Sequence, residues 1–252
     1  MSGVTVTAIE RVIDILEAFQ ASQRPLSLTE LAEAIDIPKS TCHAIVSTLM
    51  ARGYLYSLTR PRALYPTRRI YDVARGITDK DPFVERATPV LERLRDATRE
   101  TVILGKRQGE SVIYLQVIEG VHAIRYTAKP GEFKPLHSSS IGKAILGGLK
   151  EQELRGWLAG RELPAITMAT KTDPEALVRD IQESRRAGYF VTRGENVSDV
   201  WAVATFLTLN NETLAIAVAG PRNRMETCIP ECAKVLVATC SFLSRQVAGN
   251  HA

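Results

Sequence analysis

Apolar residues recur every three to four positions through the first fifty residues of the chain, and this is the period of amphipathic helices. The first predicted helix carries on one face Ile9, Val12, Ile13, Leu16 and Phe19. The second predicted helix carries Leu28, Leu31, Ala32 and Ile35. Ser27 and Glu30 stand three positions apart at its start, which is the sequence pattern of a capping box.

A third helix is predicted after the break at residues 36–38, with Pro38 at its first position, where a missing N–H does no harm. Its inner face is expected to hold Cys42, Ile45 and Leu49, and Gly53 ends it. Its outer face is short and polar and consists of Lys39, Ser40, Thr41, His43 and Ser47. Two short helices around a tight turn are typical of a helix-turn-helix, whose second helix lies in the DNA major groove. The same pattern also occurs in helix pairs that bind no DNA.

The flanking segments favour DNA binding. The first helix supplies the third element that such a domain needs for a core. Residues 54–56 and 63–65 resemble strands around a turn at residues 59–62, which predicts a β-hairpin wing. Residues 39–75 contain seven basic residues and one acidic residue, a formal charge of +6, whereas the whole chain carries +4. A local basic excess of this kind indicates a surface that contacts phosphates.

Beyond the wing, residues 68–77 predict a short linker helix with Ile70, Val73 and Ile77 on one side, which is expected to pack on a partner chain. Another helix begins after Pro82 and carries Val84, Ala87, Leu91 and Leu94. Strands are predicted at residues 102–106, 112–117, 122–128, 189–193, 200–209 and 213–219. Further helices are predicted at residues 141–149, 151–158 and 174–187, and a final helix has the apolar stripe Ala233, Leu236, Val237, Cys240, Leu243 and Val247. The second part of the chain is therefore an antiparallel sheet with helices packed on it.

The bulk composition narrows the class of protein. The chain has 252 residues, of which 45% are hydrophobic, and this is enough for two modest domains with real cores. No unbroken apolar stretch of about 18 residues is present, so no membrane span is predicted. The N-terminus lacks the pattern of a secretory signal. These observations predict a cytoplasmic protein.

Catalytic and metal-binding patterns are sparse. Cys228, Cys232 and Cys240 can share one helix face, which suggests either a metal or redox cluster or small core residues. No His or acidic residue is spaced to complete a zinc site, so no metal is predicted. Residues 138–143 match a phosphate-binding loop only in part, and no catalytic residue or cofactor is predicted. The three serines before the predicted helix at 141–149 are either an anion site or simply a helix cap.

These segments, taken together, resemble the IclR family of bacterial transcriptional regulators. The resemblance rests on LTELAEAIDIPKSTCHAIVSTLMARGYL, on GEFKPLHSSSIGKAIL, on RRAGYFVTRGEN with the strand pair after it, and on AVAGPRNRM. It implies an α+β chain with a winged helix-turn-helix domain at residues 1–67, a linker helix at 68–82 and a GAF/profilin-like antiparallel-sheet effector domain at 83–252. It also implies a homodimer or homotetramer that binds double-stranded operator DNA and a small organic effector, either aromatic or a carboxylate.

The resemblance assigns roles to residues of both domains. The expected DNA-binding residues are Lys39, Ser40, Thr41, His43, Ser47, Arg52, Arg60 and Arg62. Ala44 stands where the family often has Arg, so base reading would rest on the first part of the helix, with Arg60 and Arg62 on phosphates or in the minor groove. The expected effector-binding residues are Phe133, Ser138, Ser139, Ser140, Ile141, Gly142, Thr192, Val200, Trp201, Ala202, Ala217 and Ala219.

The expected effector pocket departs from the family pattern because methyl groups replace several polar side chains. Ala217 and Ala219 stand where serines are common, and Thr192 stands where Asp is common. With Phe133 and Trp201 nearby, the pattern predicts a larger, more apolar or aromatic effector; alternatively, both aromatic residues belong to the core.

The sequence thus predicts a transcriptional regulator, a repressor rather than an activator, whose operator affinity changes with an effector. One alternative is a ligand-processing enzyme or sensor that uses the helix-turn-helix as an interaction module. Another is an architectural DNA binder without a working pocket.

Overall fold

The computed structural model describes residues 6–59, 62–78, 82–209 and 212–248. The chain divides into two compact units, Met1–Asp81 and Pro82–Ala252. The first unit contains α1 (Thr7–Ser22), α2 (Leu28–Ala34), α3 (Lys39–Ala51), β1 (Leu55–Thr59), β2 (Arg62–Pro66) and α4 (Arg69–Thr78). Strands β1 and β2 pair antiparallel, with Thr59 opposite Arg62. This is the predicted helix-turn-helix with a two-stranded wing.

Local chemistry fixes the ends of α2 and α3. Ser27 and Glu30 form the predicted capping box: the Glu30 N–H donates to Ser27 Oγ at 3.2 Å, and the Ser27 N–H donates to Glu30 Oε2 at 2.8 Å. Pro38 lies one position earlier than predicted, because it is the N-cap of α3 rather than its first helical residue. Gly53, with φ of 75°, ends α3 in a left-handed conformation that suits glycine. The start of α2 and both ends of α3 are therefore set by local sequence.

The core of the first unit differs in part from the expected apolar faces. Ile15 is fully buried in α1, whereas Ile9 and Ile13 are exposed by 60% and 50%. In α3 the buried residues are Cys42, Val46 and Leu49, and Ile45 is only half-buried. The buried faces of α1 and α3 are therefore rotated by about one residue from the predicted ones. Helix α1 also carries apolar side chains that the core of this unit does not bury.

The second unit is a six-stranded antiparallel sheet between two helical layers. Its elements are α5 (Pro82–Thr98), β3 (Thr101–Gln108), β4 (Ser111–Ile118), β5 (Phe133–Pro135), α6 (Ser140–Gly147), α7 (Glu151–Leu158), α8 (Pro174–Ala187), β6 (Phe190–Arg193), β7 (Val200–Leu209), β8 (Glu212–Pro221) and α9 (Arg222–Ala248). The strand order is β5-β4-β3-β8-β7-β6, and every neighbouring pair is antiparallel. One face packs against α6, α7 and α8, and the other packs against α5 and α9.

The strand predicted at residues 122–128 is wrong. These residues form no regular element, although apolar and polar residues alternate along part of the segment. Strand β5 pairs with only the first three residues of β4, with Ile113 opposite Phe133. Side chains hold the irregular segment instead: Thr101 Oγ1 donates to the Tyr126 carbonyl, and Arg224 Nη2 donates to the Ile124 carbonyl.

Helix α9 has a high average hydropathy, although it contains no unbroken apolar stretch of about 18 residues. By length and composition alone, Arg222–Arg245 could cross a membrane. In the structure, however, Met225, Cys232 and Leu236 are buried against the sheet. A core helix therefore accounts for the composition of α9.

Candidate DNA interface and effector site

Helix α3 presents its polar face to solvent because its apolar face is fixed in the core. Lys39, Ser40, His43 and Ser47 are exposed, and Thr41 is half-buried. The inner face, through Cys42, Val46 and Leu49, holds the helix against the remainder of the unit. A recognition helix needs this arrangement, since side chains that read bases must project from a rigid support.

A groove between α3 and the wing brings several of the predicted DNA-binding residues together. His43 and Ser47 line it from the helix, and Arg62 with Thr59 lines it from the wing. Arg52 is exposed beyond the last turn of α3, and Arg60 lies outside the described residues. The groove thus joins short polar side chains that suit base edges to a guanidinium that suits phosphate.

Two further arginines of the basic segment are braced by aromatic rings. The Arg69 guanidinium lies 5.3 Å from the centre of the Tyr54 ring, and that of Arg68 lies 5.3 Å from the Tyr71 ring. Arg68 also approaches Asp72 at 3.8 Å. These contacts orient the two side chains without removing their charge.

A cavity in the second unit lies between the sheet and the start of α6. The empty space in the cavity is about 370 Å³, and this figure includes the part that is open to solvent. The volume that the centre of a water molecule can occupy is about 30 Å³. The strands contribute Ile103, Tyr114, Thr192, Val200, Ala202, Ala217 and Ala219, α6 and its cap contribute Ser139 and Ser140, and irregular segments contribute Tyr126, Asn196 and Val197. The alanines create the space, because larger side chains at those positions would fill it.

The cap of α6 provides the polar end of the cavity. Ser139 is the N-cap: its hydroxyl accepts from the Gly142 N–H at 3.1 Å and donates to the Pro135 carbonyl at 2.7 Å. The neighbouring Ser138 hydroxyl donates to Asn196 Oδ1 at 3.4 Å. Serine hydroxyls and the first N–H groups of a helix suit a carboxylate or another small anion.

A network of four charges, of which those of Lys143 and Glu195 are buried, lies beside this polar end. Lys143 of α6 is fully buried, and its Nζ lies 2.7 Å from Asp180 Oδ2 and 2.5 Å from Glu195 Oε2. Lys171 approaches the other oxygens of the same carboxylates, at 3.4 Å and 3.1 Å. Glu195 Oε2 lies within ion-pair distance of Lys143 Nζ, but it accepts no hydrogen bond of acceptable geometry. Burial lowers the pKa of Lys143, and the two carboxylates oppose that shift.

The opposite end of the cavity is phenolic. Tyr114 and Tyr126 both line it, and burial, reinforced by the neighbouring Tyr126, raises the pKa of Tyr114. Lys134 lies over the Tyr114 ring, with Nζ 5.9 Å from its centre, and forms a 2.9 Å ion pair with Glu132. Tyr114 is therefore a neutral hydrogen-bonding group at physiological pH.

The structure brings together seven of the predicted effector residues and excludes others from the cavity. The seven are Ser139, Ser140, Thr192, Val200, Ala202, Ala217 and Ala219. The lining of the cavity does not include Ser138, Ile141 or Gly142. Ile141 belongs to the hydrophobic core, and any side chain at Gly142 would collide with the Leu136 backbone.

Placing the two aromatic residues in the cavity is a misassignment. Phe133 is 55% exposed on the edge strand β5. Trp201 alternates with Val200 and Ala202 along β7, so it points to the other face of the sheet. There its ring lies 5.7 Å from the Arg193 guanidinium and 5.6 Å from that of Arg222.

Sequence reasoning missed Ile103, Tyr114, Tyr126, Asn196 and Val197 as lining residues. Strand alternation could have found the first two, since they share the face of the sheet that holds the alanines. The other three lie in irregular segments, for which no periodicity exists. Among the described residues, no group of three or more His, Cys, Asp or Glu side chains is suited to a metal.

Comparison with known proteins identifies the family. Residues 8–58 match the IclR helix-turn-helix domain, and residues 76–245 match the model for the bacterial transcriptional regulator IclR C-terminal domain. The chain belongs to the IclR family of bacterial transcriptional regulators. It is thus a DNA-binding regulator of transcription, with a winged helix-turn-helix domain and an antiparallel-sheet effector domain.

Several IclR-family relatives match along most of the chain. The HTH-type transcriptional regulator BhcR of Paracoccus denitrificans is 35% identical over 222 residues, which cover 87% of this chain and 79% of BhcR. The repressor AllR of Escherichia coli is 27% identical over 86% of this chain and 81% of its own.

Two solved structures share the fold. IclR of Thermotoga maritima has a TM-score of 0.82 at 23% identity and covers 96% of this chain and 98% of its own. An IclR homologue of Microbacterium hydrocarbonoxydans, in complex with 4-hydroxybenzoate, has a TM-score of 0.77 at 21% identity and covers 96% of this chain and 99% of its own.

Proposed function

We propose that this regulator is a cytoplasmic repressor whose affinity for its operator is changed by a small organic acid bound in the cavity. The observation that carries the proposal is the cavity itself, which joins the serine-capped start of α6 to walls made of methyl groups. The acid group would lie at Ser139, Ser140, Thr192 and Asn196, and the carbon chain would lie along Ala202, Ala217 and Ala219. The repressor AllR supports the sign of regulation.

The size of the effector follows from the space in the cavity. The centre of a water molecule can occupy about 30 Å³ of the cavity, and a single bound water needs roughly 10–15 Å³ on the same measure. A carboxylate of a few carbons therefore enters with little adjustment. An aromatic acid is the second candidate, since a homologue was solved with 4-hydroxybenzoate and Tyr114 and Tyr126 can receive a ring. That candidate requires Val197 or Tyr126 to move, and both belong to irregular segments.

We further propose that the effector is bound and released unchanged. The Ser139 hydroxyl is already committed to the cap of α6, and His137 Nε2 contacts the Pro164 carbonyl at 2.9 Å rather than a serine. Neither side chain is placed as half of a nucleophile and base pair. Mass spectrometry of the ligand after incubation with excess protein should show no product; conversion of the ligand would instead support the enzyme alternative.

The first experiment is fluorescence anisotropy of the full-length protein on DNA from upstream of its own gene, with non-specific competitor. Pyruvate and 4-hydroxybenzoate are then titrated in parallel. One of them should change operator affinity by about 5–150-fold, the range typical of allosteric coupling. An effect of pyruvate alone supports the small acid, and an effect of 4-hydroxybenzoate alone supports the aromatic acid. No response to either would contradict the proposed class of effector.

A pair of variants tests the location of the site. Thr192 lines the cavity, and Thr192→Val keeps the shape of the side chain but removes its hydroxyl, so it should weaken the effector response while leaving operator binding intact. Phe133→Ala is the matched control, because Phe133 lies outside the cavity. If the control weakens the response and Thr192→Val does not, the effector binds elsewhere.

A further inference from the structure

Three sulfur atoms meet near the start of α9, on the face of the sheet opposite the cavity. Met225 Sδ lies 3.8 Å from Cys228 Sγ, which in turn lies 3.7 Å from Cys232 Sγ. The residues are three and four positions apart, so they share one side of the helix. Both cysteines are free thiols.

We propose that Met225, Cys228 and Cys232 bind one soft, thiophilic metal ion of the Cu(I) class. Thiolate and thioether sulfurs are the ligands that select Cu(I) over harder cations. In a three-coordinate site with metal–sulfur bonds of about 2.3 Å, neighbouring sulfurs lie about 4.0 Å apart. Two of the three separations, Met225 to Cys228 and Cys228 to Cys232, are already close to this value. The two cysteines are the principal ligands, and the flexible thioether of Met225 is the third, weaker one.

Burial determines how the ion enters and what it displaces. Met225 is fully buried and Cys232 is 4% exposed, whereas Cys228 is half-buried and gives access from solvent. Burial, reinforced by the neighbouring Cys228, raises the pKa of the Cys232 thiol. When both cysteines bind as thiolates, two protons leave to solvent, and the monovalent ion with two thiolates carries one negative charge.

The competing interpretation is that the sulfurs are merely small, polarisable core groups. Cys240 separates the two interpretations, because it lies on the same helix and is also 4% exposed. If burial and sulfur content alone captured the ion, Cys240 would contribute as well. If the cluster is the site, only Cys228 and Cys232 matter strongly.

The test is an anaerobic titration of the full-length protein with Cu(I) against a chromophoric Cu(I) chelator. The wild-type chain should retain one Cu(I) per chain in the presence of the chelator. Cys228→Ser and Cys232→Ser should each lose that ion, Cys240→Ser should keep it, and Met225→Leu should keep one ion but bind it several-fold more weakly. X-ray absorption of the loaded protein should show sulfur neighbours only.

The opposite results would overturn the proposal. Retention of Cu(I) by Cys228→Ser, or an equal loss in Cys240→Ser, would show that the cluster is not the site. Should Cys232→Ser fail to fold, the half-buried Cys228 decides the question, with circular dichroism and operator binding as measures of an intact fold. The readout needs no effector, so failure of this proposal leaves the proposed regulatory function untouched, and the reverse also holds.

Discussion

A single buried ammonium group, that of Lys143, joins three chain segments beside the effector cavity. It contacts Asp180 of α8 and Glu195 of the loop after β6, and Lys143 itself belongs to α6. Ser140 opens that helix and Asn196 follows Glu195, and both line the cavity. The network therefore fixes the distance between two walls of the site.

Removing this ammonium should destabilise the protein strongly. Lys143→Met leaves the buried carboxylate of Glu195 and the partly buried one of Asp180 with only Lys171 between them, and breaking a buried ion pair from one side costs roughly 3–5 kcal/mol. Lys171→Met is the matched control: its side chain is 32% exposed, so the expected loss is about 1 kcal/mol or less. Urea unfolding measures both. Equal losses would show that burial of Lys143 contributes nothing special.

The capping box of α2 should make stability sensitive to acid. The hydrogen bond from the Ser27 backbone N–H, followed by the Ser27 side chain and the nearby Arg24 guanidinium, lowers the pKa of Glu30 from 4.5 to about 2. A lowered pKa in the folded state means that the contribution is present above pH 4.5 and is lost as the pH falls toward 2. Glu30→Gln should therefore lose less stability than wild type on going from pH 5 to pH 2.5, whereas Glu33→Gln on the same helix should behave as wild type. The midpoint of urea unfolding at each pH checks this.

At the scale of elements, we expect α3 and the wing to make different kinds of contact with DNA. Helix α3 carries short polar groups that suit base edges, and Arg62 of β2 carries a charge that suits the phosphate backbone. Phosphate contacts act on every sequence and weaken with salt, whereas base contacts act on one sequence. The two roles are separable by experiment.

Arg62→Ala should weaken binding to all DNA sequences and reduce the slope of log affinity against log salt by up to about one unit. Anisotropy on the operator and on an unrelated duplex, at several salt concentrations, measures this. Arg179→Ala, an exposed arginine of the second unit, is the control and should leave both affinities unchanged. His43→Ala should instead reduce discrimination between the two duplexes by about 1–3 kcal/mol. A loss in Arg62→Ala that is confined to the operator would assign that arginine to base reading.

The elements that the sequence predicted well are those with a period and a defined end. Helix α2 has its capping box, α3 ends at Gly53, and α8 has Asp173 at its start and Gly188 at its end. The same reasoning failed where tertiary contacts decide the conformation. Residues 122–128 alternate in part like a strand, but they form no regular element and accept hydrogen bonds from the side chains of Thr101 and Arg224.

The candidate site was predictable to the same extent. Strand alternation and the serine cap placed seven lining residues, while Trp201 was misassigned because a one-residue offset moves a side chain to the other face of the sheet. Asn196 and Tyr126 reach the cavity through hydrogen bonds that fix their loops: Thr170 Oγ1 donates to the Glu195 carbonyl, and Thr101 Oγ1 donates to the Tyr126 carbonyl. Such contacts join residues far apart in the chain and leave no local signal.

At the scale of the whole molecule, the first unit exposes more apolar surface than a solitary domain needs. Ile9 and Ile13 of α1 are exposed by 60% and 50%, and Val73 and Ile77 of α4 by 41% and 69%. Helix α4 has no buried residue among those described. Surfaces of this kind mark contacts between proteins, and we propose that a second copy of the chain covers them. A two-fold dimer then presents two recognition helices to half-sites about 34–36 Å apart.

Ile13→Lys places a charge in the proposed contact and should shift the protein toward monomer in analytical ultracentrifugation. Because one chain then holds only one half-site, affinity for the full operator should fall by about 10²–10⁴-fold, the usual gain from bivalent binding. Affinity for an isolated half-site should change little, since Ile13 lies on α1 and not in the groove between α3 and the wing. Met168→Lys, at a fully exposed methionine of the second unit, is the control and should leave both quantities unchanged. If the Ile13→Lys variant remains a dimer with full operator affinity, the two copies meet through another surface. If its affinity falls equally for the half-site and the full operator, the substitution damages the DNA-binding domain itself.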